Sequence, residues 1–213
     1  MPSRKPKAAP PTLVLYVRHG TTPTTGRILP GRAPGLDLAD EGRLQARSVG
    51  EKLATLAKVD VVYASPLARA RQTAALIAEQ LGQEVRTERG LLECDFGEWT
   101  GAELKELMKR PEWQTVQRWP SGWRFPGGES FGEMQARMSA TREKFRVGHP
   151  AGTVVAVSHA DPIKAAVADA MGLHLDLFQR VVVAPCSVTA ITYSATGPAV
   201  LAVNALASEL KLQ

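Results

Sequence analysis

The residues Leu13-Val14-Leu15-Tyr16-Val17-Arg18-His19-Gly20 decide the fold class. Five consecutive largely apolar side chains fit a strand covered on both faces, since a half-exposed strand would alternate apolar with polar. The run then passes at once into arginine, histidine and glycine, so the strand delivers two reactive side chains to its carboxyl end. Two other segments repeat the device. Val59 to Ala64 runs into Ser65-Pro66-Leu67-Ala68-Arg69, and Thr153 to Val157 runs into Ser158-His159-Ala160-Asp161-Pro162.

Segments of helical period lie between these runs. One spans about Glu41 to Lys58, with Ala46, Val49, Leu53 and Leu56 on one face. Ser65 as N-cap and Pro66 in the first turn open another, with Leu67, Ala70, Ala74, Ile77 and Leu81 inward and Gly82 at its end. Ser130 and Glu133 form a capping box for a third, bearing Phe131, Met134, Met138 and Phe145. Ile163, Val167 and Ala170 mark a fourth. Glu84 to Glu88 reads as a short, polar edge strand, and Ser187 to Tyr193 and Ala199 to Val203 as two closing strands. Strands interleaved with helices predict an α/β fold. Between Gly97 and Gly128 the pattern breaks. All four tryptophans, Trp99, Trp113, Trp119 and Trp123, fall there, which predicts an inserted helical cap over residues 97–128.

The chain has 213 residues, 44% of them hydrophobic, enough for a sizeable core. Residues 1–11 read as a disordered basic, proline-rich tail and 12–213 as one domain. Of 26 basic side chains, Arg4, Lys5 and Lys7 sit in that tail, and without them 23 basic groups face 21 acidic ones. The folded body is therefore almost neutral, which argues against a nucleic-acid partner. No apolar run is long enough to span a bilayer, and the basic amino-terminal segment lacks the apolar core of a secretory leader. Cys94 and Cys186 stand far apart without metal-ligand spacing. Two unpaired thiols suit a reducing cytoplasm.

Ligands of open α/β sheets bind beyond the carboxyl ends of the strands. Arg18, His19, Arg69 and His159 all map to such ends, and a phosphoryl group is the natural guest for two guanidiniums and two imidazoles. Taken singly, each has an ordinary explanation: a strand-end histidine often serves only as a hydrogen-bonding residue, and a helix arginine is often solvated. Their joint placement is what points to a site.

On these residues the chain resembles the histidine phosphatase superfamily, the phosphoglycerate mutase-like fold. The matching motifs are Arg18-His19-Gly20, Ser65 to Thr73, Leu91 to Gly101 and Ser158-His159, supported by Leu38 to Ala46 and Pro126 to Ser130. The resemblance covers about Thr12 to Asn204. It implies a three-layer α/β/α sandwich with a mostly parallel sheet of about six strands and a small helical cap. It also implies His19 as nucleophile, Arg18, Arg69 and His159 as phosphate holders, and Glu93 as the acid that protonates the leaving oxygen and then activates water. Always-charged guanidiniums supply the donors without a metal, so neither metal nor cofactor is expected. The implied partner is a small phosphomonoester, and a homodimer is left open.

Two positions depart from the family pattern. Where many members carry an asparagine five residues after the Arg-His-Gly glycine, this chain has Thr25, so either its hydroxyl replaces the amide contact or the loop is one residue shorter. Where mutases have Gly-Trp, it has Gly31-Arg32, and Arg32 is a candidate for a second anionic group of the substrate or for a solvated loop residue. Gly20 completes the expected substrate-binding set. Compactness of the cap and Phe96-Gly97-Glu98-Trp99 favour hydrolysis over mutase chemistry. A non-catalytic phosphate-binding module is the alternative of another class, disfavoured because Arg18, His19, Arg69, Glu93 and His159 are all intact. The cap aromatics are expected to form the cap's own small core. If they line the mouth instead, they favour a leaving group with an apolar or ring face. Cys94 is expected to be a packed thiol.

Overall fold

In the computed structural model, which describes residues 10–55 and 58–211, the opening apolar run becomes β1 (Thr12–Arg18). Val14 to Val17 have no solvent exposure. β1 lies between β4 (Thr153–Ser158), parallel to it, and β5 (Val188–Ser194), antiparallel. With β2 (Val61–Ala64), β3 (Val85–Thr87) and β6 (Gly197–Ala205) the sheet order is β3-β2-β4-β1-β5-β6. The first four strands in that order are parallel, and β5 and β6 close the sheet as an antiparallel pair. β3 is the expected polar edge.

Alternate residues of the central strands face opposite layers. Leu15, Val17, Val62 and Val155 pack against Ala46, Val49 and Leu53 of α1 (Asp40–Leu53) and Ala70, Ala74 and Ile77 of α2 (Ala68–Leu81). Val14, Tyr16, Val154 and Ala156 pack against the other layer. In the cap, α3 (Leu104–Leu107) precedes α4 (Pro111–Arg118). The second layer consists of Met138 and Phe145 of α5 (Phe131–Gly148) and Ile163 and Val167 of α6 (Ala160–Met171). The chain is thus the three-layer sandwich. Among the described residues no helix is long and apolar enough to cross a membrane.

Most boundaries follow the sequence pattern, including the Ser130–Glu133 capping box and the left-handed Gly82 that ends α2. Two differ. α1 stops at Leu53, because the backbone and hydroxyl of Thr55 both bond back to the Lys52 carbonyl, at 3.1 and 2.7 Å; Leu56 lies outside the described residues, as do residues 1–9 of the tail. Ser65 is not the N-cap of α2. The helix starts at Ala68 after an extended Leu67 with no side-chain cap, and the Ser65 hydroxyl lies 2.8 Å from Nε2 of His159 instead. A short 3-10 helix, Leu175–Arg180, was not expected.

The cap is stitched down at a narrow neck. Gly97 has φ +51° and lies so close to the Pro126 carbonyl that no side chain fits there, and the Glu98 amide donates to the same carbonyl at 2.9 Å. Trp99 and Phe125 are buried and continuous through Phe131 with Phe178 of the main body. The expected cap core therefore exists, but Trp119 is 61% exposed and stands outside it.

A second close approach holds the loop after β1. A Cβ on Gly20 would lie 2.5 Å from the Gly42 carbonyl oxygen, and one on Gly42 of α1 would collide with the Thr21 carbonyl. Gly42→Ala is therefore expected to cost about 1–3 kcal/mol in urea unfolding, the usual penalty for overpacking, and to lower activity by displacing residues 19–21. Gly132→Ala, at an exposed helical site with no close neighbour, is the control and should gain up to about 1 kcal/mol. Equal stability of Gly42→Ala and the parent would refute the close approach.

Candidate active site

Parallel pairing of β1 with β4 sets Arg18 beside Ser158, so the next residues, His19 and His159, emerge side by side. The His19 amide donates to the Ser158 carbonyl at 3.0 Å, and the two imidazoles meet edge to face with centroids 5.2 Å apart. β2 is the other neighbour of β4, so its carboxyl end brings Ser65 to His159 and lets α2 carry Arg69 inward. Arg69, His19, Glu93 and His159 are all buried.

The hydrogen bonds of His19 fix its tautomer. Nδ1 lies 2.8 Å from the Gly20 carbonyl oxygen, which only accepts, so Nδ1 carries the proton of the neutral ring and Nε2 keeps the lone pair. Burial, and then the Arg69 charge, lower the His19 pKa to about 3, so the ring is neutral through the physiological range. Nε of Arg69 lies 3.2 Å from that Nε2. Burial and Arg69 likewise push the His159 pKa well down.

Around these rings several donors lack a protein partner. Arg69 gives Nη2 to the Gly31 carbonyl at 2.7 Å and leaves Nη1 unpaired; Arg18 gives Nη1 to the Val183 carbonyl at 2.6 Å and leaves Nε unpaired. Nδ1 of His159 is also buried without a partner. A buried donor with no acceptor costs about 1–3 kcal/mol, so two unpaired guanidinium N–H groups beside an unpaired imidazole nitrogen mark a site built for an anion. Ser187, facing Arg18 across the end of β5, has a fourth unpartnered polar atom, its Oγ, and sequence reasoning missed it.

Glu93 enters from the segment after the short 3-10 turn Arg89–Leu91. Its Oε1 accepts from the Cys94 amide at 2.9 Å. Burial first, then the Asp161 charge, raise its pKa to about 7, so the carboxyl is poised to hold or release a proton near neutrality. The Cys94 thiol is buried and pushed up beyond its usual range, an inert packed group.

Three expected contacts are made elsewhere. The Thr25 hydroxyl accepts from the Thr22 amide at 2.9 Å and meets the Thr22 hydroxyl at 3.0 Å, so it stabilises its own turn rather than reaching the imidazoles. The Gly20 amide donates to Thr73 Oγ1 at 3.0 Å and is not free for a ligand. Arg32 is consumed by the protein. Nε donates to the Glu93 carbonyl at 2.8 Å, Nη2 to Glu129 at 2.9 Å and Nη1 to Asp95 at 3.3 Å. Arg137 completes the clamp, donating to Glu129 and to the carbonyls of Gly90 and Leu92 at 2.7 and 2.9 Å. Two guanidiniums joined by one carboxylate thus hold the backbone that carries Glu93. Arg137 gave no sign in the sequence, sitting among ordinary charged residues of α5. Among the described residues no group of three metal-ligating side chains occurs.

A neutral imidazole with a fixed lone pair, set among buried, unpartnered cationic donors at the carboxyl ends of a parallel sheet, defines an α/β enzyme of phosphoryl transfer. The chain belongs to the histidine phosphatase superfamily (branch 1), whose family model matches residues 14–206. It is 37% identical over 155 residues to phosphoserine phosphatase 1 of Hydrogenobacter thermophilus, covering 70% of this chain and 72% of that protein. It is 33% identical over 185 residues to a probable phosphoglycerate mutase of Klebsiella pneumoniae, with 84% of each covered. Of some longer curated relatives it spans about half, 48%. A mycobacterial glucosyl-3-phosphoglycerate phosphatase shares the fold with a TM-score of 0.80 at 24% identity, over 93% of this chain and 100% of that one. The protein is an enzyme of the histidine phosphatase type, and phosphatase is better supported than mutase.

The clamp generates a test. Glu129→Ala leaves Arg32 and Arg137 without their shared carboxylate, which should cost about 1–3 kcal/mol of stability. Because the loss reaches the chemistry through Glu93, kcat/KM should fall more for an alkyl phosphate than for p-nitrophenyl phosphate, whose leaving group needs little protonation. Equal losses on both would reduce the clamp to a fold-stabilising element.

Proposed function

We propose that the protein hydrolyses a small organic phosphomonoester through a phosphohistidine on His19. The carrying observation is the pair of buried, unpartnered guanidinium donors on Arg18 and Arg69, with the unpartnered Nδ1 of His159, beside an imidazole whose Nε2 lone pair is fixed. A tetrahedral phosphate presents oxygens to these donors, and the guanidiniums meet the charge that spreads over them in the transition state. Nε2 of His159 lies 2.8 Å from the Ser65 hydroxyl, and in the tautomer that accepts from that hydroxyl the ring carries its proton on Nδ1 and adds a neutral donor.

In the first displacement the His19 nitrogen–phosphorus bond forms as the ester P–O bond breaks, and the proton of Glu93 passes to the departing oxygen. In the second, water oxygen bonds to phosphorus as the N–P bond breaks, and the water proton returns to Glu93. The cycle restores both groups, and no metal or cofactor is required. Every group comes from one chain, so a homodimer is not needed for the chemistry. Two buried free thiols favour a cytoplasmic setting.

Hydrolysis is preferred to mutase transfer because a mutase needs further anion contacts to hold its phosphorylated partner, and Arg32, the loop cation suited to that task, is already bonded to Glu93, Asp95 and Glu129.

The raised pKa of Glu93 gives the test. Raising the pH through about 7 removes the proton that the leaving group needs, while His19 stays neutral down to about 3. The kcat/KM for ethyl phosphate should therefore fall about tenfold per pH unit on the alkaline side, as expected when an essential acid titrates. That limb should vanish with p-nitrophenyl phosphate. Glu93→Gln should lower kcat/KM about 10²–10⁴-fold on ethyl phosphate and far less on p-nitrophenyl phosphate, with EDTA changing none of these rates. Equal losses on the two esters would remove Glu93 from the acid's role.

A further inference from the structure

The leaving oxygen sits where Glu93 can protonate it, so whatever that oxygen carries must fit the space beside Glu93. A cavity of about 330 Å³ lies under the cap, walled by Phe96, Trp99 and Trp113 and floored by Asp161, Lys164 and Gln179. Glu93 and the two imidazoles do not line it; Asp161, which does, is the link between them. Phe96 follows three residues after Glu93, and Asp161 stands two residues after His159, in the first turn of α6. Asp161 is close enough that its charge acts on the Glu93 carboxyl.

The electrical character of this cavity is as informative as its shape. Its lining carries one cation and one anion, and they are bonded to each other: Lys164 Nζ donates to Asp161 Oδ1 at 3.2 Å and to Gln179 Oε1 at 3.0 Å. Both charged side chains are largely buried, at 17% and 16% exposure. Three cap cations face acids of their own, Lys105 with Glu103, Lys109 with Glu106 and Arg124 with Glu133, and a fourth, Arg110, lies over the Trp99 ring, 5.6 Å from its centroid. A substrate carboxylate or second phosphate entering here meets a lysine whose charge is already balanced by Asp161, and the Asp161 carboxylate repels it. An uncharged ring meets no such obstacle. A cavity of 330 Å³ is about twice the ~150 Å³ apolar cavity that holds one benzene ring, and the indole and phenyl walls favour stacked or edge contacts.

Resting on the phosphatase reading above, we infer that the preferred substrate is a phosphomonoester of an uncharged, ring-bearing alcohol, whose ring occupies the Phe96–Trp99–Trp113 cavity. Phosphoserine and phosphoglycerate, whose leaving groups carry charge, are the disfavoured class. Lys164 and Asp161 act together as a neutral polar floor that admits a hydroxyl or ring heteroatom and excludes a net charge.

The experiment measures kcat/KM of the full-length enzyme for 2-phenylethyl phosphate, ethyl phosphate, phosphoserine and 3-phosphoglycerate by release of inorganic phosphate. The ring ester should exceed each of the other three by at least about tenfold, the selectivity an apolar pocket supplies. Trp113→Ala should lower the ratio of 2-phenylethyl to ethyl phosphate at least about fivefold. Asp161→Asn, which unpairs Lys164, should raise the ratio of 3-phosphoglycerate to 2-phenylethyl phosphate. Preference of the parent enzyme for either charged ester, or an unchanged ring-to-ethyl ratio in Trp113→Ala, would overturn this inference and leave the phosphatase reading standing. Release from none of the four esters would overturn both.

Discussion

The hydrogen bond from Nδ1 of His19 to the Gly20 carbonyl is the contact on which the chemistry turns. It leaves Nε2 as a lone pair, and burial together with the Arg69 charge keeps that lone pair unprotonated. Arg69 faces the same nitrogen, Arg18 stands on the same strand end, and burial works against both charges. Gathering two guanidiniums this way opposes folding unless backbone carbonyls and rigid packing hold them. Gly31 and Val183 supply those carbonyls, and the sheet supplies the rigidity.

The surroundings follow from that requirement. β1, β4 and β2 lie in adjacent, parallel register, so three loops end within reach of one phosphate. Glycines at 20 and 42 let the first of those loops lie directly on α1. The guanidinium donors without protein acceptors on Arg18 and Arg69 are groups that an anion satisfies, so its binding stabilises the fold. Glu93, by contrast, is held through its backbone by Arg32 and Arg137, which leaves its carboxyl free to exchange a proton.

Much of this was legible in the sequence because it depends on local pattern. The apolar run 13–17, the Ser130–Glu133 capping box and the glycine after α2 each have a short-range physical signature, and strand-end placement followed from the α/β alternation. That is how Arg18, His19, Arg69 and His159 could be assigned to neighbouring strand ends, and the structure sets the two histidines and Arg69 together. The misread site residues are polar side chains with more than one available partner. Ser65 had a sound local option as an N-cap and was instead captured by His159, 94 residues away. Arg32 offered a loose guanidinium to any anion, yet its carboxylate partner Glu129 lies 97 residues on. Thr25 did the reverse, bonding to its own turn. Arg137 and Ser187 had no local signature at all, since their importance comes from contacts that exist only once the sheet and α5 have packed. The cavity beneath the cap belongs to the same class: its tryptophans were visible, but the neutralising Lys164–Asp161 pair was not.

The central claim is that His19, held neutral by its buried cationic surroundings, takes the phosphoryl group. Mixing the enzyme with p-nitrophenyl phosphate, quenching in alkali within the first turnover and mapping the phosphorylated peptide by mass spectrometry tests it directly. The expected result is a phosphoryl group on His19, formed and lost at least as fast as kcat, and no turnover in His19→Ala. A phosphoryl group on His159, normal turnover with no adduct at all, or an active His19→Ala enzyme would contradict it.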